Sequence, residues 1–361
     1  MKIFGKNSRP NHTPAHAPEV VVVEPPRRFF FVSGHPRSGT NWVSSLLNLH
    51  TDAFCDGEFH FLILRWAMDG YTSLPWYLGA QEPYKSIAER NFHQLIRESL
   101  IQRAKDRRNG HAPTALGDHT PRLFRVMITP PEARYIVVQR DGRDVLVSYT
   151  HHLLNTGAPD VIPESIRPFF VKQLERSKRS AADQHDAAAA LLTYEPWVRY
   201  YAAFWSEHIW HDKRIFGSVA AQGFAPFVKF VKYETLRADV ERGRTGLYDF
   251  LGLDPAKAAP VSPETNTAPG FGGRLDVKSF YRKGESGDWR NHFTPDTARW
   301  FKEAAGPALI ELGYEPDHAW ADRITTSPGT RLADIPAAMS FPIDSPHPTV
   351  RSSAQVPAKT T

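Results

Sequence analysis

Hydrophobic positions along the chain fall into two kinds of pattern. Unbroken apolar runs at Phe29–Val32 and Tyr135–Val138 have the length of strands buried on both faces. Phe227–Glu234 alternates like a further strand, and Thr114–Gly117 reads as a short one running into the polar turn Asp118-His119-Thr120-Pro121. Between these runs, apolar residues recur every three or four positions. That spacing predicts helices over Asn41–His50, Ser86–Arg108, Pro196–Trp210, Thr235–Leu251 and Pro295–Leu312, with another beginning near Arg143. Gly252 and Gly313 are the expected stops of two of them, and the aromatic face of Pro196–Trp210 reads as core packing. Strands that alternate with helices predict an α/β fold in three layers, a central parallel sheet flanked by helices.

The pattern fades at both ends. Residues 1–27, rich in Pro, His and Asn, are expected to form a flexible arm, and 323–361, rich in Pro, Ser and Thr, a disordered tail around a domain spanning 28–322. Residues 51–86 show no clear period; Glu58 and His60 within them read as parts of a solvated loop. Residues 151–195 read as a helical excursion, with patches at 168–179 and 181–192, expected to form an acceptor pocket or lid.

Composition narrows the functional classes. With 41% hydrophobic residues in 361, the chain has ample material for a core. A formal charge of +5 is too small and too scattered for a nucleic-acid binder but suits an anionic ligand. The single cysteine, Cys55, excludes an intramolecular disulfide and fits a reducing cytoplasm. The first apolar run, Val20–Val23, is cut by Glu24-Pro25-Pro26, and no run approaches the roughly 20 residues that span a bilayer. No signal peptide and no membrane insertion are therefore expected.

Three stretches carry chemistry. Gly34-His35-Pro36-Arg37-Ser38-Gly39-Thr40-Asn41-Trp42 follows the first strand and opens a helix, the layout of a P-loop-like phosphate cradle. Thr40 and Asn41 stand where a Walker loop carries Lys and a magnesium-binding Ser or Thr, which argues against a kinase; the cation is Arg37 instead. In the second stretch Arg140 ends a strand and Ser148 lies two turns along the following helix, so both can reach one anion. Arg143 and Asp144 read there as a surface pair. The third, Arg282-Lys283-Gly284 followed by Gly287-Asp288-Trp289, offers two cations and backbone donors to a phosphate, with Trp289 as a packing anchor. His119 and Asp118, at the carboxyl end of a strand, are candidate general bases.

Taken in this order the three stretches resemble the sulfotransferases that use 3′-phosphoadenosine-5′-phosphosulfate (PAPS), most closely their cytosolic branch, over about residues 28–315. The resemblance implies a sulfuryl transfer to a small-molecule acceptor, releasing adenosine 3′,5′-bisphosphate (PAP) without a metal. It implies that Arg37, Ser38, Gly39, Thr40 and Asn41 hold the 5′-phosphosulfate, that Trp42 and Tyr233 flank the adenine, and that Arg140, Ser148, Arg282, Lys283 and Gly284 grip the 3′-phosphate. His119 stands where cytosolic members carry their catalytic histidine, and Asp118 where the carbohydrate branch puts a carboxylate base. Two departures stand out, Arg37 in place of the family's loop lysine and Gly117 in place of a second lysine. A P-loop kinase and a non-catalytic nucleotide-binding module remain the rival readings.

Overall fold

In the computed structural model, residues 26–121, 129–221, 227–261 and 284–325 are described. Five strands, β1 (Arg28–Gly34), β2 (Ala53–Asp56), β3 (Ala115–His119), β4 (Arg134–Gln139) and β5 (Val228–Lys232), form one parallel sheet in the order β2-β3-β1-β4-β5. β1 is the centre, with Phe30 opposite both Gly117 and Arg134. Parallel strands covered on both faces need apolar residues at every position, which is why Phe29–Val32 and Tyr135–Val138 are unbroken runs.

One face is covered by α1 (Thr40–Leu47), α8 (Tyr233–Ala238) and α9 (Val240–Leu251), packed through Trp42, Leu46, Leu247 and Leu251. The other carries α2 (Phe61–Ser73), α3 (Tyr84–Arg107) and the far end of α7 (Glu195–Ala221), through Phe92, Ile96, Leu100 and Phe216. A third core joins α4 (Gly142–Thr156), α5 (Arg167–Ser177), α6 (Ala181–Leu192), α7 and α10 (Pro295–Glu311) around Phe170, Trp197, Trp205 and Phe301. The three-layer α/β expectation holds. Of the aromatic face of α7, Trp197, Tyr201 and Trp205 are core, as read from the spacing, whereas Phe204 is partly buried and Tyr200 is exposed.

Several details differ from the sequence reading. The helix expected from Thr235 to Leu251 is two, because Asp239 breaks it and its carboxylate caps the second by accepting from the Arg242 N–H. β2 and α2 fall where no period was visible: β2 has four residues, and α2 buries only Phe61 and Thr72, so it carries no inward stripe. Residues 151–156 belong to α4, and α5 and α6 pack their apolar faces into the third core. Glu58 and His60 are exposed and 3.4 Å apart, in keeping with a solvated loop. No helix among the described residues is long and apolar enough to cross a membrane. Apart from 26–27 and 323–325, the expected arm and tail lie outside the described residues.

Candidate active site

From β1 the chain turns towards β2, and from β4 it turns the opposite way towards β5. The carboxyl ends of these two neighbours therefore diverge and leave a crevice, the place where open α/β sheets bind ligands. The loop 35–39 enters it from β1 and Arg140 from β4.

The loop is held from behind. The Ser38 N–H and Oγ–H both donate to the His35 carbonyl, at 2.9 and 2.7 Å, so this serine side chain staples the turn. Arg37 adopts φ 73°, a left-handed conformation that costs a non-glycine residue about 1–2 kcal/mol. The surrounding bonds maintain it, because the Arg37 carbonyl accepts from Arg140 at 3.1 Å and its Nε donates to Ser148 Oγ at 3.3 Å. Gly39, with φ 102°, lies so close to the Tyr233 ring that an added Cβ would come within 2.5 Å of it. Thr40 then starts α1, whose first-turn N–H groups have no side-chain cap and face the crevice end of the helix. Asn41 is half-buried and its carbonyl accepts from Ser45.

Arg140 is the hub of the crevice. One arm of its guanidinium reaches Arg37, the other donates to the Glu285 carbonyl at 2.9 Å, and the group lies 4.4 Å over the Tyr233 ring. Its Nε is buried without a hydrogen-bond partner among the described residues. Burial works against the charge, but Tyr233, Asp144, Glu234 and Asp141 outweigh it and hold the guanidinium protonated. The Tyr233 hydroxyl donates to the Gly284 carbonyl at 2.6 Å. Trp42 and Tyr233 are both almost wholly buried and meet edge to face, centroids 5.2 Å apart, so they form one aromatic wall instead of two sides of a slot. Arg282 and Lys283 lie outside the described residues.

Sequence reasoning missed what supports this cradle. Arg143 and Asp144 are not a surface pair. The Arg143 guanidinium is buried between the rings of Trp289 and Trp320, 4.0 and 4.5 Å away, and pairs with Asp141 and Glu315 at 2.7 and 2.5 Å. Asp144 accepts from the backbone N–H groups of Gly287 and Trp289 at 2.6 and 2.9 Å, which fastens the segment after Gly284 to α4. Both helix positions were marked by charge beside apolar residues, and adjacent opposite charges alone do not reveal burial. Glu234 bridges the Asp141 N–H and the Tyr314 hydroxyl, both at 2.9 Å, and burial pushes its carboxyl up to about 7. One turn beyond Ser148, burial and then the nearby Arg37 pull His152 down to about 4, leaving a neutral imidazole beside the loop.

The two candidate bases part company on β3. Alternation along a strand sends Asp118 to the face that holds Leu116, and His119 to the opposite face with Gly117 and Ala115. Asp118 is fully buried; Oδ1 accepts from the Phe59 N–H at 3.2 Å and Oδ2 from Thr120 Oγ at 2.6 Å. Burial pushes it up to about 7. His119 is partly exposed and packs against Gly57, where a Cβ would come within 2.9 Å of Nδ1. Burial lowers its pKa, partly offset by Asp56, so the imidazole is neutral near pH 7 and able to take a proton.

Residues 27–313 match the family model described as a sulfotransferase domain. The chain is similar to sulfotransferase 1E1 of Cavia porcellus and of Homo sapiens. Each is 22% identical over 283 residues, covering 73% of this chain and 77% of the relative. A solved structure of mouse sulfotransferase SULT7A1 complexed with PAP aligns over 82% of this chain and 87% of that one, with 17% identity and a TM-score of 0.40. With the family model spanning well over half of its length, the chain belongs to the sulfotransferase family.

Proposed function

We propose that this sulfotransferase uses PAPS as its donor and transfers the sulfuryl group to a hydroxyl or amine of a small-molecule acceptor, with His119 as general base. The observation that carries the reading is the convergence of Arg37, Ser148, Arg140 and the start of α1 on the crevice between β1 and β4. A cofactor with two separated anionic groups fits this set. The loop and the α1 N-terminus suit the 5′ end, and Ser148 with the buried, partly unsatisfied Arg140 suits the 3′-phosphate. Ser38, Gly39, Thr40 and Asn41 belong to the first group. Gly284, with Arg282 and Lys283 before it, belongs to the second, and the wall of Trp42 and Tyr233 serves the adenine.

Bound PAPS supplies an activated sulfuryl group. Arg37 places a permanent charge where the departing phosphate oxygen gains negative charge, a stabilisation that matters most in a site from which water is excluded. His119 accepts the proton of the acceptor hydroxyl or amine as the new bond to sulfur forms; such proton transfer contributes about 10² to 10⁴ in rate. Asp118, tied to Phe59 and Thr120, holds the loop after β2 against β3, and this favours His119 over a carbohydrate-type carboxylate base.

The test is transfer from PAPS to a panel of phenols, alcohols and amines, with and without a metal chelator. His119→Ala should lose turnover by at least 100-fold while keeping PAP affinity, and Asp118→Asn should retain most of it. The reverse pattern assigns the base to Asp118.

A further inference from the structure

β2 stops beside the candidate base. Asp56 is in register with Asp118, so the next residue, Gly57, falls beside His119. A Cβ on Gly57 would come within 2.6 Å of the His119 carbonyl oxygen, 2.9 Å of its Nδ1 and 3.0 Å of its Cε1. No side chain fits in that space, and the bare backbone lies against the Nδ1 edge of the ring. Nδ1 is buried there, although His119 as a whole is partly exposed.

Both ends of this short loop are anchored. The Asp56 carboxylate accepts from the Gly57 N–H at 3.1 Å and from Arg103 of α3 at 2.8 Å, with Arg107 at 3.5 Å. Two residues beyond Gly57 the Phe59 N–H donates to Asp118 at 3.2 Å. α3 and β3 thus hold Gly57 where it seats the imidazole. Among the described charged groups nearby, Glu58 pairs with His60, Arg103 and Arg107 face Asp56, and Asp118 lies on the opposite face of β3. Asp56 is the one that bears on His119, and both its carboxylate and its backbone favour the protonated ring. A base needs its lone pair on the nitrogen that meets the acceptor. The buried Nδ1 cannot meet it, so Nε2 takes the proton and Nδ1 must carry the hydrogen of the neutral ring.

We propose that Gly57 and Asp56 are positioning residues for His119, Gly57 fixing the plane of the ring and Asp56 holding the neutral tautomer with its hydrogen on Nδ1. The inference rests on His119 as the base: the acceptor O–H or N–H breaks, its proton moves to Nε2 and its electron pair goes to sulfur, as the phosphate oxygen leaves with its own pair. NMR of the full chain labelled with ¹⁵N-histidine tests it without an acceptor, the His119 ring being assigned by its absence from His119→Ala. Wild-type His119 should be the Nδ1–H tautomer at pH 8. In Asp56→Asn its titration midpoint, and with it the acid limb of kcat/KM, should move down by at least about 0.5 pH unit, a shift that a merely structural role would not produce. Gly57→Ala should lower kcat at least about tenfold and leave PAP affinity unchanged. An Nε2–H tautomer in the wild type, a midpoint unmoved by Asp56→Asn, or full turnover in Gly57→Ala would each overturn the proposal. Full turnover in His119→Ala would instead remove the base assignment, and the proposal with it, while the tautomer and the midpoint stay readable.

Discussion

Replacing Arg143 with methionine probes the support of the cradle without touching any residue assigned to the nucleotide. The guanidinium lies between two indole rings and is shared by Asp141 and Glu315, whose side chains are themselves nearly buried. Methionine keeps most of the volume and removes the charge, so Asp141 loses its ion-pair partner and Glu315 keeps only the exposed Arg323 at 3.4 Å. Breaking a buried pair in this way costs about 3–5 kcal/mol, and losing a desolvated cation–π contact adds up to about 2. Against a total stability of about 5–15 kcal/mol, Arg143→Met should lower the urea-unfolding free energy by at least about 3 kcal/mol. Because Trp289 packs on this guanidinium and its N–H is held by Asp144, PAP affinity should fall as well. Adding Asp141→Asn and Glu315→Gln to Arg143→Met should recover much of the loss, since the uncompensated charges disappear. A loss below about 1 kcal/mol, the scale of an exposed ion pair, would refute the reasoning.

Asp118 and Glu234 are both pushed up to about 7 by burial, above an unfolded value near 4, so the folded state binds the extra protons. Their contribution to stability is full below about pH 4 and is lost as pH rises through 7; Asp118→Asn should therefore raise the melting temperature relative to wild type at pH 8 and lose that advantage by pH 4. Turnover should fall on the acid side as His119 becomes protonated, at a pH below the ordinary imidazole range because burial lowers its pKa; an acid limb above pH 6.5 in kcat/KM would contradict this. Gly39→Val, which pushes a side chain into the Tyr233 ring from a left-handed backbone, should weaken PAP binding at least tenfold by calorimetry. Asp144→Asn leaves one of the Gly287 and Trp289 N–H groups without its acceptor, and should raise the KM for PAPS more than it lowers kcat.

The sheet was largely legible, β2 and the strand order excepted, because buried parallel strands must be continuously apolar and Phe29–Val32 and Tyr135–Val138 announce themselves. The loop at 35–39 was legible as a strand-to-helix turn, because the glycines at its two ends, Gly34 and Gly39, supply the positive φ values it needs. The supporting network was not. Arg143 and Asp144 owe their burial to Trp289, Trp320 and Glu315, residues about 140–180 positions away, and no local pattern records such a meeting. The opposite faces of Asp118 and His119 follow from strand alternation once β3 is known to run as far as His119. In the sequence the strand was taken to end before them, so both stood as candidates. α2 escaped because its apolar residues point mostly outward, which erases the periodicity by which helices are found.

Titration calorimetry with PAP in the absence of magnesium, against ATP with magnesium as the comparison, tests most directly that the crevice between β1 and β4 is built for this nucleotide. Tight binding of PAP, weakened at least tenfold by Arg140→Ala and by Ser148→Ala, is the predicted result. Preference for ATP with magnesium, or PAP binding indifferent to both substitutions, would contradict it.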